Sequence, residues 1–387
     1  MVQVVEHIDP GSFRPPHCPW PECSRHRPSA DRPFRFHRHG RFTRKCDGRQ
    51  VQRYRCTCCK RTFSQQTFAF SYYLKRPDLT VPIAAGLQAC SAHRQLARSL
   101  GCSHTTVTVR AARLGRHALL FNAAALERID QIDEPVVLDH LETFEFSQNL
   151  PAGIVTPVGH KSWYGYDLEP APHHRTGRMS RVQRRKMERL YEKIGRPPRD
   201  AIPRSFRRSL DRLLERSPDG LELFTDDHPA YRRELRRHPQ RDKVRHRVFP
   251  NPKRGPKGSP RSPEAIQRDQ AMFPADLLHM ILRHTCAHHK RETIAFGRRI
   301  NALMERGHLT MLWRNWIKGR SERKPDPATP AMKLGLTDRP LTWHEVFGRR
   351  LFPSRIEVPE GWMKVYRREW ITKAIGINRP HALVNAF

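Results

Sequence analysis

Acidic side chains are scarce in this chain: 38 Asp and Glu stand against 72 Lys and Arg, a formal charge of +34 over 387 residues. Such a surplus repels itself unless a polyanion neutralises it, which points to nucleic acid or an acidic membrane surface. Long apolar runs are missing as well. None approaches the ~18 residues needed to cross a bilayer, and the membrane option falls away. The opening MVQVVEHIDPGSFRPP lacks the charged, apolar and small-residue succession of a signal peptide, so we read the chain as cytoplasmic and associated with the nucleoid. Cysteines number only nine, and in a reducing compartment they argue for metal ligation or burial over disulfides. Repeats and heptad arrays are lacking. Hydrophobic residues at 37%, with Gly and Pro close to ordinary usage, exclude a wholly disordered chain.

Composition divides what is present. Residues 1–76 hold six of the nine cysteines and a DG turn, Asp47-Gly48, between two strand-like runs. Helical periodicity takes over from about 81 to 121. EPVVLDHLETFEF, 134–146, reads as a buried strand opening a new domain. Between 177 and 217 fourteen Lys and Arg face five acids at helical spacing, a basic insertion whose charges suit phosphate contact, with Arg184, Arg185 and Lys186 at its centre. A strand at 221–227, a short helix from Tyr231, a strand at 244–249 and a helical region from about Ala275 to Lys318 follow. HHKRE at 288–292 adds a further basic surface. The remainder holds three of the seven tryptophans and a capping-box pair, Thr342 and Glu345, which predicts a docked helix.

Two cysteine pairs carry the first chemistry. Cys18 and Cys23 have C-x4-C spacing, and Cys56 and Cys59 have C-x2-C spacing after the hairpin. Thiolates paired on tight turns can surround Zn²⁺ and substitute for a core in a unit too small to bury one. Cys58 is a bystander, and Cys46 or His17 could replace a miscounted ligand. In the next segment Leu96, Ala97, Leu100, Gly101 and Val107 fall where a helix-turn-helix needs apolar, small and turn residues, with Ser103 as cap. His104, Thr105, Thr106, Thr108 and Arg110 on its second helix are suited to reach base edges and phosphates. An ordinary helical hairpin with a glycine turn fits the same spacing.

Isolated acids in a basic domain invite a metal-nuclease reading, although Asp139, Asp226 and Asp227 taken singly also suit strand ends and turns. The order of the segments adds to that reading. A ribbon ending RYRCTCCKRTFS, a helix-turn-helix, LDHLETFEF, LFTDDHPAY, RETIAFGRR and a late TPAMKLGLT together resemble compact bacterial insertion-sequence transposases with a DDE, RNase H-like nuclease. The resemblance covers most of 18–316. It implies an α/β fold, with a zinc ribbon at 1–76, a helix-turn-helix domain at 80–122, an RNase H-like catalytic domain at 130–318 and a tail at 319–387. By that resemblance Asp139 is the first acid and Asp226, in preference to Asp227, the second. Relatives carry a third acid at a helix start, and counting back from Ile294-Ala295-Phe296 reaches Asp276, after Pro274, with Glu292 as its rival. The implied chemistry is Mg²⁺- or Mn²⁺-assisted cleavage and strand transfer at double-stranded DNA ends by a dimer or larger assembly. The other expectation is a catalytically inactive DNA-binding regulator that keeps the ribbon and the helix-turn-helix.

Overall fold

The computed structural model describes residues 4–252, 255, 256, 258–290, 293, 295–322 and 325–373. Its first unit is a three-stranded antiparallel sheet of β1 (Phe36–Thr43), β2 (Gln50–Cys56) and β3 (Thr62–Ser64), with β2 central. The DG turn closes β1 onto β2: Gly48 takes φ +69, a left-handed conformation that a Cβ would disfavour. Tyr54 and Cys56 turn inward from β2, and Tyr54 stacks on Phe63 at 5.6 Å between ring centroids. This small core also contains Phe13, Phe68 and, from far along the chain, Phe352.

Three helices follow: α1 (Thr80–Gln88), α2 (His93–Ser99) and α3 (His104–Leu126). Gly101, at φ +57, makes the turn after α2, and the Ser103 hydroxyl accepts from the Thr105 N–H at 3.2 Å to cap α3. At 1.5 Å per residue, α3 is about 35 Å long. Its first turns meet α1 and α2, and its remaining length packs on a later helix.

The second sheet is mixed. Its strands are β4 (Val136–Phe144), β5 (Pro151–Gly159), β6 (Glu169–Pro172), β7 (Leu221–Thr225) and β8 (Val244–Val248), arranged β6-β5-β4-β7-β8. The first three pair antiparallel, whereas β7 runs parallel to β4 and β8 parallel to β7. The VVL run lies in the central strand, buried on both faces, as such runs are in parallel pairings. Basic helices α4 (Arg181–Ile194) and α5 (Ala201–Leu214) connect β6 to β7, and α6 (Pro229–Arg237) connects β7 to β8. Alternation along β4 assigns its two faces: His140 meets Ser205 of α5, and Asp139 faces His279 of α7 (Pro263–Thr285). The protein is therefore a mixed α/β fold with helices on both sides of the sheet.

The helical region expected from about 275 to 318 consists of two helices and begins earlier. The first, α7, starts more than three turns earlier: Ser262 caps it by accepting from the Ala265 N–H at 3.2 Å, Pro263 fills the first helical position, and Pro274 lies in the interior. It ends at Thr285, and α8 (Ile300–Trp316) begins separately. α8 crosses α3 so closely that a Cβ on Gly115 would stand 2.3 Å from the Glu305 carbonyl oxygen.

The carboxy-terminal segment docks, as its tryptophans suggested. After α9 (Pro330–Lys333) and α10 (Trp343–Val346, with the expected Thr342–Glu345 capping box), α11 (Glu360–Tyr366) buries Trp362. Its indole N–H donates to the Leu168 carbonyl at 3.0 Å. Residues between α10 and α11 return to the first unit: the Val5 N–H donates to Gly348 at 2.8 Å, and His26 meets the Ser354 hydroxyl at 2.7 Å. No helix among the described residues is long and apolar enough to cross a membrane.

Candidate functional site

The two cysteine pairs meet. Cys18 and Cys23 come from the loop before β1, Cys56 ends β2, and Cys59 follows on the tight turn to β3. The sulfurs of Cys18 and Cys59 lie 3.7 Å apart and those of Cys23 and Cys56 3.8 Å apart, with all four within 4.8 Å of one another. A tetrahedron with metal–sulfur bonds of about 2.3 Å has edges of about 3.8 Å, so the donor set fits a structural metal such as zinc with little further closure. Burial, with neighbouring thiols adding to it, pushes the Cys18 thiol far above its ordinary range, a cost that a bound cation removes. Cys46 and Cys58 are exposed outside the cluster. His17 turns its Nδ1 to the Cys18 carbonyl at 2.9 Å and packs on Phe352, so neither reserve ligand is used.

On α3, His104, Thr105 and Thr108 are exposed and Thr106 is half-buried. Arg110 is a correction. It is 5% exposed and donates from Nη2 to the Arg76 carbonyl at 2.9 Å, tying α3 to the segment before α1. Six residues beyond His104, it falls on the face that packs against α1 and cannot reach a ligand on the outer face. On α4, Arg184 and Arg185 are exposed and Lys186 half-buried. His288 and His289 are a second correction: burial lowers them to about 4 and about 3, so both are neutral and add no positive surface.

The acids meet where β7 ends beside the middle of β4. Asp139 lies in β4, and Asp226 follows the last residue of β7, the strand parallel to β4. Asp226 accepts from the His228 N–H at 3.1 Å, while Asp227 turns away to pair with Arg232 at 2.6 Å. Asp276 approaches from α7, which packs against both strands. The Asp139 side chain is 19% exposed and that of Asp276 43%. Burial, then repulsion from Asp226 and from Asp276, raises the Asp139 carboxyl from 3.8 to about 7. Three carboxylates distant in sequence thus act on one point. They are more widely spread than the cysteines, which alone among the described residues bring all their ligand atoms within 4.8 Å. Glu292 lies outside the described residues.

Two side chains of α7, Arg268 and His279, flank this group. Arg268 of α7 forms an ion pair with Asp276 and also draws Asp139 downward. His279, whose spacing of three from Asp276 does place it on the same helical side, holds Nδ1 3.7 Å from Asp139 and Nε2 2.6 Å from the Thr156 hydroxyl. The eight-residue separation of Arg268 from Asp276 carried no signal, because that pairing depends on the reach of a long side chain. Tyr164, Tyr166 and Tyr231 are all buried, in keeping with packing roles. Compared with known proteins, the chain matches no protein-family model and no curated protein, so the functional reading rests on this geometry.

Proposed function

We propose that this protein is a DNA transposase that binds the ends of an insertion element and carries out metal-dependent strand cleavage and strand transfer. One observation carries the reading: in a chain of charge +34, Asp139 of β4, Asp226 just past the end of the parallel strand β7 and Asp276 of the facing helix α7 come together, and burial, then repulsion from Asp226 and Asp276, raises the Asp139 carboxyl to about 7. The strand arrangement, three antiparallel strands followed by two parallel ones added at the central strand, supports an RNase H-like catalytic domain. The paired thiols support a zinc ribbon, and the capped α2–α3 turn supports a helix-turn-helix.

Each part then has a task. His104, Thr105, Thr106 and Thr108 face outward to read DNA, and Arg184, Arg185 and Lys186 neutralise phosphates. Asp139, Asp226 and Asp276 would hold Mg²⁺ or Mn²⁺, which when bound supplies charge neutralisation and a more acidic water for phosphoryl transfer. Asp139, whose carboxyl burial and then its like-charged neighbours raise to about 7, would give up its proton as a cation is accepted. Arg268 releases Asp276 for the same purpose. The same ion pair favours the second reading, an inactive DNA-binding regulator, if Arg268 holds Asp276 permanently.

A strand-cleavage assay on the element's own ends with Mg²⁺ tests this. Asp139→Ala, Asp226→Ala and Asp276→Ala are each expected to abolish cleavage while retaining DNA binding, and Asp227→Ala to retain both. Full cleavage by Asp139→Ala or Asp226→Ala refutes the enzyme reading; no cleavage by the parent protein, with binding intact, selects the regulator.

A further inference from the structure

A cleft in the first unit lies apart from the carboxylates and from the outer face of α3. Its volume is about 800 Å³, between β1–β3 and residues 71–76, within the roughly 300–1,000 Å³ of small-ligand sites. Two kinds of side chain shape it. Phe42 and Tyr73 are exposed aromatic rings lining it, and Tyr73 is 85% exposed. Tyr73 also holds a left-handed backbone, φ +61, which disfavours a bulky residue and is offset here by no burial. Its ring nevertheless rests against Tyr72, which is itself held. The Tyr72 ring lies 4.3 Å away between centroids, the Arg350 guanidinium stands 4.9 Å from the far ring, and Arg113 donates to the Tyr72 carbonyl at 2.9 Å.

The second kind is cationic. Arg44 and Arg76 are paired with Asp47 and Asp78, leaving exposed Lys45, Arg53 and Lys75 to charge the cleft. No carboxylate lines it among the described residues. A paired duplex would meet the cations with its phosphates and leave the rings unused, because its bases are stacked inside. An unpaired nucleotide uses both.

We propose that this cleft binds an unpaired nucleotide of single-stranded DNA, its base stacked on Tyr73 and its phosphates held by Lys45, Arg53 and Lys75. Every base has a ring face, so the site tolerates any sequence and depends strongly on salt. The inference rests on the DNA-binding reading above and deepens it: this end of the protein takes the frayed or cleaved strand that lies beside the duplex.

The test compares a blunt duplex with the same duplex carrying a single-stranded extension labelled with 2-aminopurine, both bound to the full chain. The extension is expected to tighten binding roughly tenfold, the scale of one stacked base, and to quench the 2-aminopurine. Tyr73→Ala removes the gain and the quenching, Tyr73→Trp keeps both, and blunt-duplex affinity is unchanged in each. Equal affinity for the two probes, or a gain that survives Tyr73→Ala, overturns the inference while leaving the duplex reading intact. Binding of the extended probe without the blunt one sustains the cleft and refutes duplex recognition; binding of neither refutes both.

Discussion

Asp139→Asn removes a carboxyl that burial and two like-charged neighbours raise from 3.8 to about 7. At 1.36 kcal/mol per tenfold change, that rise corresponds to about 4 kcal/mol. Proton counting gives the sign. Below about pH 4 the folded and unfolded chains both carry the proton, and the group costs nothing. From about pH 4 to about 7 the folded chain keeps a proton that the unfolded chain has released, so stability falls as pH rises. Above about pH 7 both forms are ionised and the full cost of about 4 kcal/mol is present and constant. The Asn variant lacks this slope and is expected to gain on the parent by that amount between about pH 4 and pH 8. Urea unfolding followed by tryptophan fluorescence measures it, since Trp316 and Trp362 are buried. The buffer must be free of Mg²⁺ and of chelators that would strip the thiol cluster. Adding Mg²⁺ is expected to flatten the parent's slope, because a cation then takes the proton's place. Parallel pH dependence in parent and variant refutes the placement of three acids around one point.

Cys56→Ser is expected to lose bound zinc and the melting transition of the first unit, whereas Cys58→Ser keeps both; metal analysis with circular dichroism separates them. Arg110→Ala is expected to lower stability by about 1–3 kcal/mol, the cost of disrupting a buried charged hydrogen bond, without a specific loss of DNA affinity. Thr105→Ala is expected to do the reverse, with binding measured by anisotropy on duplex DNA. Gly115→Ala forces a Cβ against the Glu305 carbonyl at the α3–α8 crossing, where a contact of 2.3 Å cannot be kept. A loss of about 1–3 kcal/mol in thermal or urea unfolding checks it.

Local chemistry was legible in the sequence, and long-range geometry was not. Cysteine spacing after a DG hairpin identified four residues that meet, because each pair is preset by its own tight turn. Ser103 and the Thr342–Glu345 pair announced their helix starts through side chains that reach no further than three residues. Pro274 misled for the opposite reason. Proline favours a helix's first turn, yet Ser262-Pro263 is the start that combines cap and proline, and α7 tolerates the loss of one backbone donor at Pro274 within its 23 residues. Arg110 stands where a helix-turn-helix often buries an apolar residue; its charge drew the reading outward, whereas the Arg76 carbonyl accepts from it inside the fold. The parallel placement of β7 beside β4 comes from a pairing across scores of residues, which no local pattern encodes, and the Arg268–Asp276 ion pair follows from a packing that exists only once α7 is seated.

Phe352 completes the aromatic core around Tyr54, Phe63 and Phe68. During synthesis, the first unit therefore emerges long before the side chain that closes it. Its cysteines can gather as soon as residue 59 is free of the ribosome, but one wall stays open until translation has passed residue 352. A product stopped short of that point would carry a first unit with an uncovered apolar flank, a ready substrate for chaperones and proteases, so truncated copies are expected to be cleared.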